Sequence, residues 1–193
     1  RDVAPSRGLG DVYKRQEQYA MNIFDSTRRF HGLGDRERLL LQIAVTLHAC
    51  GKFISMKNSN ECGYTLIMST EIIGLSHLER EIIANVVRYN IRDFDYDMMQ
   101  LETEAGQDLA GVSDRTAITI LIAKLTAILR LANSMDKTHK SKLIDCRMAV
   151  REGQLVITTG YKGDLALESA SFEQKAAFFE EIFGIRPVLK QKR

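Results

Sequence analysis

The chain of 193 residues is 45% hydrophobic and 27% charged, with a formal net charge of +2. That balance excludes a disordered chain, and the length accommodates one large domain or one medium domain with a small appendage. A charge so close to neutral excludes a partner class selected by bulk electrostatics, so any basic surface has to be local.

Residues 1–16, RDVAPSRGLGDVYKRQ, hold few apolar residues and no sustained 3.6 period. They resemble translated sequencing-adapter read-through and are expected to be a dispensable, non-native leader, the natural chain entering in mid-helix near Glu17. Ala20, Ile23, Phe24 and Thr27 then share one helical face, which Gly32 and Gly34 end. Asp35 is the expected N-cap of a buried helix, RERLLLQIAVTLHA. A short helix is expected at STEIIG (69–74). Ser76 and Glu79 form a capping box for EREIIANVVRYN, with Ile82, Ile83, Val86 and Val87 facing inward. Ser113 or Asp114 should cap the longest helix, in which Ile118, Ile122, Leu125, Leu129 and Ala132 recur every three or four residues.

After Lys142 the period changes to two. Ile144, Cys146, Met148 and Val150 alternate with polar residues, and a turn at REGQ leads into LVITT, which reads as a hairpin. Leu165 and Leu167 suggest a third strand. Ser171 and Gln174 make a second capping box for FEQKAAFFEEIF, stopped by Gly184 and followed by Pro187. The expected fold is mostly α (α+β): a five- or six-helix bundle over 17–142, then a small ββ(β)α tail over 143–193. Pro5 and Pro187 are the only prolines, which suits long helices. No apolar run is expected to reach the roughly 18 residues of a membrane helix, and no signal-peptide pattern opens the chain. Cys50, Cys62 and Cys146 have no zinc-type spacing and read as reduced thiols in a cytoplasmic protein.

Few motifs carry chemistry. DFDYDMMQLETE (93–104) has carboxylates at the spacing of a calcium loop, but Met98 stands where a left-handed glycine is required and Gln100 where an apolar residue belongs, so it reads as a solvated acidic connector. No nucleophile elbow or P-loop is present. The basic run KTHKSK (137–142) follows the longest helix; cations suit a helix C-terminus, and its donors equally suit an anionic ligand such as a phosphate chain. His31 and His77 are expected to be exposed, and His48 to end a buried helix.

Three segments in order resemble a known family. LLLQIAVTLHACGKFISM is similar to the HD-superfamily segment that normally reads LHD-x-G, and RLANSMDKTH to the later RLAD-x-LDRSH segment. FEQKAAFFEEIFGIRPVL resembles the C-terminus of bacterial Ppx/GppA phosphatases, the exopolyphosphatases and guanosine-pentaphosphate phosphatases. The resemblance covers about residues 17–193. It implies an HD-like helical domain followed by the terminal αβ tail, that is, the C-terminal piece of a longer protein. The two actin-like domains, which hold Gly-rich phosphate loops and cleave phosphoanhydride bonds with magnesium, are not represented here.

Against the HD pattern, the first histidine would fall near residue 12, Ala49 replaces the aspartate of the His-Asp pair beside His48, and Asn133 replaces the late aspartate. A divalent cation would lose its water shell to a site without formal negative charge. The resemblance therefore implies no catalytic residues and no cofactor in this piece. The expected role is a non-catalytic polyphosphate-binding scaffold, with Lys52, Arg88, Arg92, Lys137, His139, Lys140 and Lys142 as candidate phosphate ligands. Expected partners are polyphosphate or guanosine pentaphosphate through the parent enzyme, with no DNA, no membrane and a possible homodimer. The alternatives are a stand-alone HD-type metal-dependent nucleotide phosphohydrolase, against which Ala49 and Asn133 argue, and a ligand-free dimerisation domain.

Overall fold

The structure is a computed structural model and describes residues 9–97, 99, 101 and 112–192. Among these it has seven α-helices and three strands. The helices are α1 Leu9–Ser26, α2 Arg28–His31, α3 Asp35–Leu47, α4 Ser59–Met68, α5 His77–Tyr89, α6 Val112–Met135 and α7 Ala166–Phe183. A 3-10 turn, Cys50–Phe53, joins α3 towards α4, and the strands are β1 Arg147–Arg151, β2 Gln154–Thr159 and β3 Arg186–Gln191.

The long period-3.6 segment becomes the central helix. α6 packs against α1, α5 and α7, and Ile122, Leu125, Ile128 and Leu129 are fully buried along it. Contrary to the expectation about apolar runs, Arg115–Met135 is long and apolar enough to cross a membrane by length and composition. The fold uses it as a core helix, with 61% of that window buried inside the protein. The same buried cluster continues from Tyr19 through α6 to Leu155, Ile157, Phe179 and Ile185, so bundle and tail share one core.

In the tail, β1 and β2 pair antiparallel, Arg147 opposite Thr158 and Arg151 opposite Gln154. β3 pairs parallel to β2, Leu155 opposite Pro187, and the sheet order is β1-β2-β3. The tail is thus ββαβ, and the strand expected at Leu165 and Leu167 does not form. Ala166 N donates to Asp164 Oδ1 at 2.8 Å, which starts α7 there, with Leu165 buried and Leu167 exposed. Two leucines are too short an alternation to outweigh a helical run, and the third strand comes after α7. Pro187 is tolerated because β3 is an edge strand.

Several other expectations are corrected. Glu17 lies in mid-helix, as expected, but the residues just before it, Arg15 and Gln16, are buried against the bundle. STEIIG forms turns with Ile73 fully exposed, since six residues seldom repay helix nucleation. Asp35 is the first residue of α3, whose N-cap is Gly34, and Gly34 N donates to Glu37 Oε2 at 2.9 Å. Ser113 and Asp114 follow the start of α6 at Val112, and Ser171 and Gln174 lie inside α7. The Ser76–Glu79 capping box is present and reciprocal, at 3.1 Å and 2.8 Å. The acidic segment 93–104 is only partly within the described residues; positions 98, 100 and 102–104 lie outside them.

His31, expected at the surface, is 3% exposed. It donates to Phe24 O at 2.8 Å and accepts from Leu33 N at 2.9 Å, and burial lowers its pKa. Both nitrogens are committed to the backbone, so it is a structural residue that closes α2.

Candidate functional site

The positions singled out around His48 and Asn133 do meet in space. The C-terminal end of α3, the 3-10 turn, the end of α5, the last turns of α6 and the outer turns of α7 surround a cleft of about 390 Å³. Its lining includes Lys52, Arg130, Lys137, His139 and Lys175, and no Asp or Glu side chain among the described residues. A pocket lined by four permanent cations and two histidines, with no carboxylate, is a field suited to an anion.

Each cation has a structural reason for its place. Lys52 is exposed on the 3-10 turn, which is pressed onto α4. A methyl group on Gly51 would sit 1.8 Å from Ser59 O and 2.5 Å from Gly63 N, so only glycine permits that approach. Arg130 is 8% exposed. Its Nε donates to Tyr89 O at 2.9 Å, a second nitrogen donates to Tyr89 O and to Arg92 O, and its guanidinium lies 4.6 Å from the Phe178 ring centre. It caps the end of α5 yet has no carboxylate partner at ion-pair distance among the described residues. Burial lowers its pKa, with Asp93 acting in the opposite sense.

Lys175 is half-buried on α7. Burial lowers its pKa first, and repulsion from Arg130 and Lys137 lowers it further, against a smaller pull from Asp93. That is the electrostatic mark of cations crowded without sufficient counter-charge. Lys137 is exposed at the end of α6. His139 is held with φ 55°, in the left-handed region, and its Nδ1 lies 3.6 Å from Asp136 Oδ2. Asp136 is itself buried and paired to Arg15 Nε at 3.1 Å.

The neutral residues of the lining are as informative. His48 Nδ1 lies 2.5 Å from Val45 O, which fixes the proton on Nδ1 and leaves a lone pair on Nε2. Burial, aided by Lys52, lowers its pKa, while the Val45 bond acts the other way. Asn133 Nδ2 donates to Asn90 Oδ1 at 2.9 Å, and Asn133 Oδ1 is buried without a partner among the described residues.

A divalent metal of the HD type does not fit this donor set. Ala49 is buried and offers no ligand, Asn133 offers a neutral amide oxygen in place of a carboxylate, and the cleft carries cations where a metal needs carboxylates. Among the described residues, no group of three or more His, Cys, Asp or Glu side chains comes together.

The expected phosphate ligands divide into two sets. Lys52, Lys137 and His139 line the cleft. Arg88 and Arg92 do not; both are paired to Glu61, at 3.0 Å and 3.3 Å, and the Arg88 guanidinium lies 3.4 Å from the Tyr64 ring centre. Lys142 is paired to Glu168 at 3.0 Å and donates to Asp164 O at 2.7 Å. It borders a second hollow with Arg147 and Asp145. Lys140 is exposed and lines neither cavity. Arg130 and Lys175 escaped the sequence reading. Arg130 lies in the apolar run TAILRLA, and Lys175 follows Glu173 and Gln174 in FEQKAAFF, so neither joins a basic cluster in the sequence.

The chain matches the family model of Ppx/GppA phosphatase, domain III, over residues 13–176. No curated protein matches it.

Proposed function

From the premise that this chain belongs to the Ppx/GppA phosphatase family, in which it corresponds to domain III, we propose that it is a polyphosphate-binding module without hydrolytic activity of its own. It serves phosphoanhydride cleavage carried out by catalytic domains outside these 193 residues. The observation that carries the reading is the cleft of Lys52, Arg130, Lys137, His139 and Lys175, lined by no carboxylate among the described residues. Successive phosphates of a chain would replace water around cations that now repel one another, and released counterions would add to the affinity. The HD-like description of the helices, a cytoplasmic setting suited to three unpaired cysteines and the lack of any cofactor need belong to the same proposal.

Titration of the purified chain with long-chain polyphosphate over a salt series tests this. Replacing Lys52, Lys137 and Lys175 together by Ala should weaken binding at least tenfold and flatten the salt dependence, by roughly 2 in log–log slope. Phosphate should not be released from polyphosphate or a nucleotide. A triple variant that binds like the parent across the series would overturn the reading, as would hydrolysis lost on His48→Ala.

A further inference from the structure

The polarity of the cleft is mixed in a way that a uniform polyanion does not explain. Its charged lining donates: Lys52, Arg130, Lys137 and Lys175 can only give hydrogen bonds. Its neutral lining accepts. The Nε2 atom of His48 bears a lone pair, because Val45 O takes the proton on Nδ1, and it has no partner among the described residues. Asn133 Oδ1 is a second acceptor, buried and without a donor among the described residues.

An interior phosphate of a polyphosphate chain is fully ionised and has acceptor oxygens only. Set against His48 Nε2 it would bring two lone pairs together, leaving both groups desolvated and unpaired. A terminal phosphoryl group differs. Its second pKa lies near that of a phosphate monoester, about 6, so at about pH 6 roughly half of such ends carry both negative charge and a P–OH donor. The cations would take its anionic oxygens while the P–OH donates to His48 Nε2.

Resting on the polyphosphate reading above, we propose that the cleft recognises the protonated phosphoryl end of a phosphate chain, or free orthophosphate with the same chemistry, in preference to chain interior. Burial supports this by disfavouring the charged imidazole, which favours the form whose Nε2 accepts.

Cyclic metaphosphates, which have no chain ends, make the test. Calorimetric titration of the full chain at about pH 6 would compare linear tripolyphosphate, cyclic tetrametaphosphate and orthophosphate. Tripolyphosphate should bind about tenfold more tightly than tetrametaphosphate, the magnitude of one charge-assisted hydrogen bond. His48→Phe should bring that ratio close to one by weakening tripolyphosphate without weakening tetrametaphosphate, whose clash with Nε2 is removed. His48→Gln, which restores an acceptor, should keep part of the preference. In the unmodified chain the nitrogen resonance of His48 Nε2 should move with tripolyphosphate and stay put with tetrametaphosphate, a readout that does not depend on a variant folding. Orthophosphate binding as tight as tripolyphosphate, and dependent on His48, would assign the source as free phosphate. Equal binding of linear and cyclic probes, or a preference that survives His48→Phe, would overturn the proposal and leave the polyphosphate reading standing. Binding of none of the probes, nor of long-chain polyphosphate, would overturn both.

Discussion

Lys137 and Lys142 belong to one basic run, yet they end in opposite surroundings. Lys137 lines a cleft that holds no carboxylate among the described residues. Lys142 is turned under α7, where its ammonium meets Glu168 at 3.0 Å, with side-chain exposures of only 11% and 1%. The same division separates Lys52 from Arg88 and Arg92, which share Glu61. What sets the cleft apart from the α6–α7 junction is the whereabouts of the counter-charge. At the junction a cation holds two elements together, and in the cleft cations of equal formal charge have no such partner among the described residues.

The sharpest way to break this contrast is to remove the counter-charge. Glu168→Ala would leave Lys142 buried and uncompensated and Thr138 without its acceptor. We expect a loss of roughly 3–5 kcal/mol in unfolding free energy, read by denaturant titration. Glu168→Ala combined with Lys142→Met should recover much of it, because the stranded charge is gone.

A packing change should act next in size. Gly51→Ala sets a methyl group against the backbone of Ser59 and Gly63, so the 3-10 turn must move. We expect about 1–3 kcal/mol of destabilisation. Polyphosphate affinity should also fall, since Lys52 is carried on that turn. Unchanged affinity in a destabilised variant would show that Lys52 contributes little.

The paired region should also reveal itself in acid. The bond from Arg36 holds Glu79 at about 2, and Arg38 holds Asp25 below its ordinary value. Burial alone would raise the Glu168 pKa, but hydrogen bonds from Thr138 and Lys142 keep it low. Folded-state values below the unfolded ones mean that this stability is fully present above about pH 4.5 and disappears as pH falls towards about 2. Thermal midpoints across that window should drop. A flat profile would show that these ion pairs contribute nothing.

The smallest effects are expected from cations that already have partners or lie outside the cleft. Arg88→Ala and Arg92→Ala should change polyphosphate affinity by less than about twofold, and Lys140→Ala should change stability by less than about 0.5 kcal/mol. A tenfold loss of affinity on Arg92→Ala would erase the distinction between the two regions.

Much of the fold was legible in the sequence because it rests on local chemistry. The Ser76–Glu79 box, the glycine stops at Gly32 and Gly184, and the hairpin from Met148 to Ile157 are encoded within a few residues each. Errors arose where a weak local signal competed with a neighbour, as at Leu165–Leu167, where the Asp164 turn started a helix instead. They also arose where burial was decided from afar. His31 looked exposed in a Gly-rich turn, but Phe24 and Phe183 close over its ring. Arg15, set aside with the leader, finds Asp136 at the far end of α6.

By itself the sequence determined the periods of the helices and strands, the family likeness, the inventory of cations and the absence of carboxylates at Ala49 and Asn133. These follow from residue identity and short-range spacing. Only the tertiary structure decided which of these cations are paired and which line the cleft. Glu61 reaches Arg88 across 27 positions and Glu168 reaches Lys142 across 26, while Arg130 and Lys175 converge on a cleft that no carboxylate of the described residues lines. Coulomb energy depends on distance in space and on desolvation, and neither is a property of position along the chain.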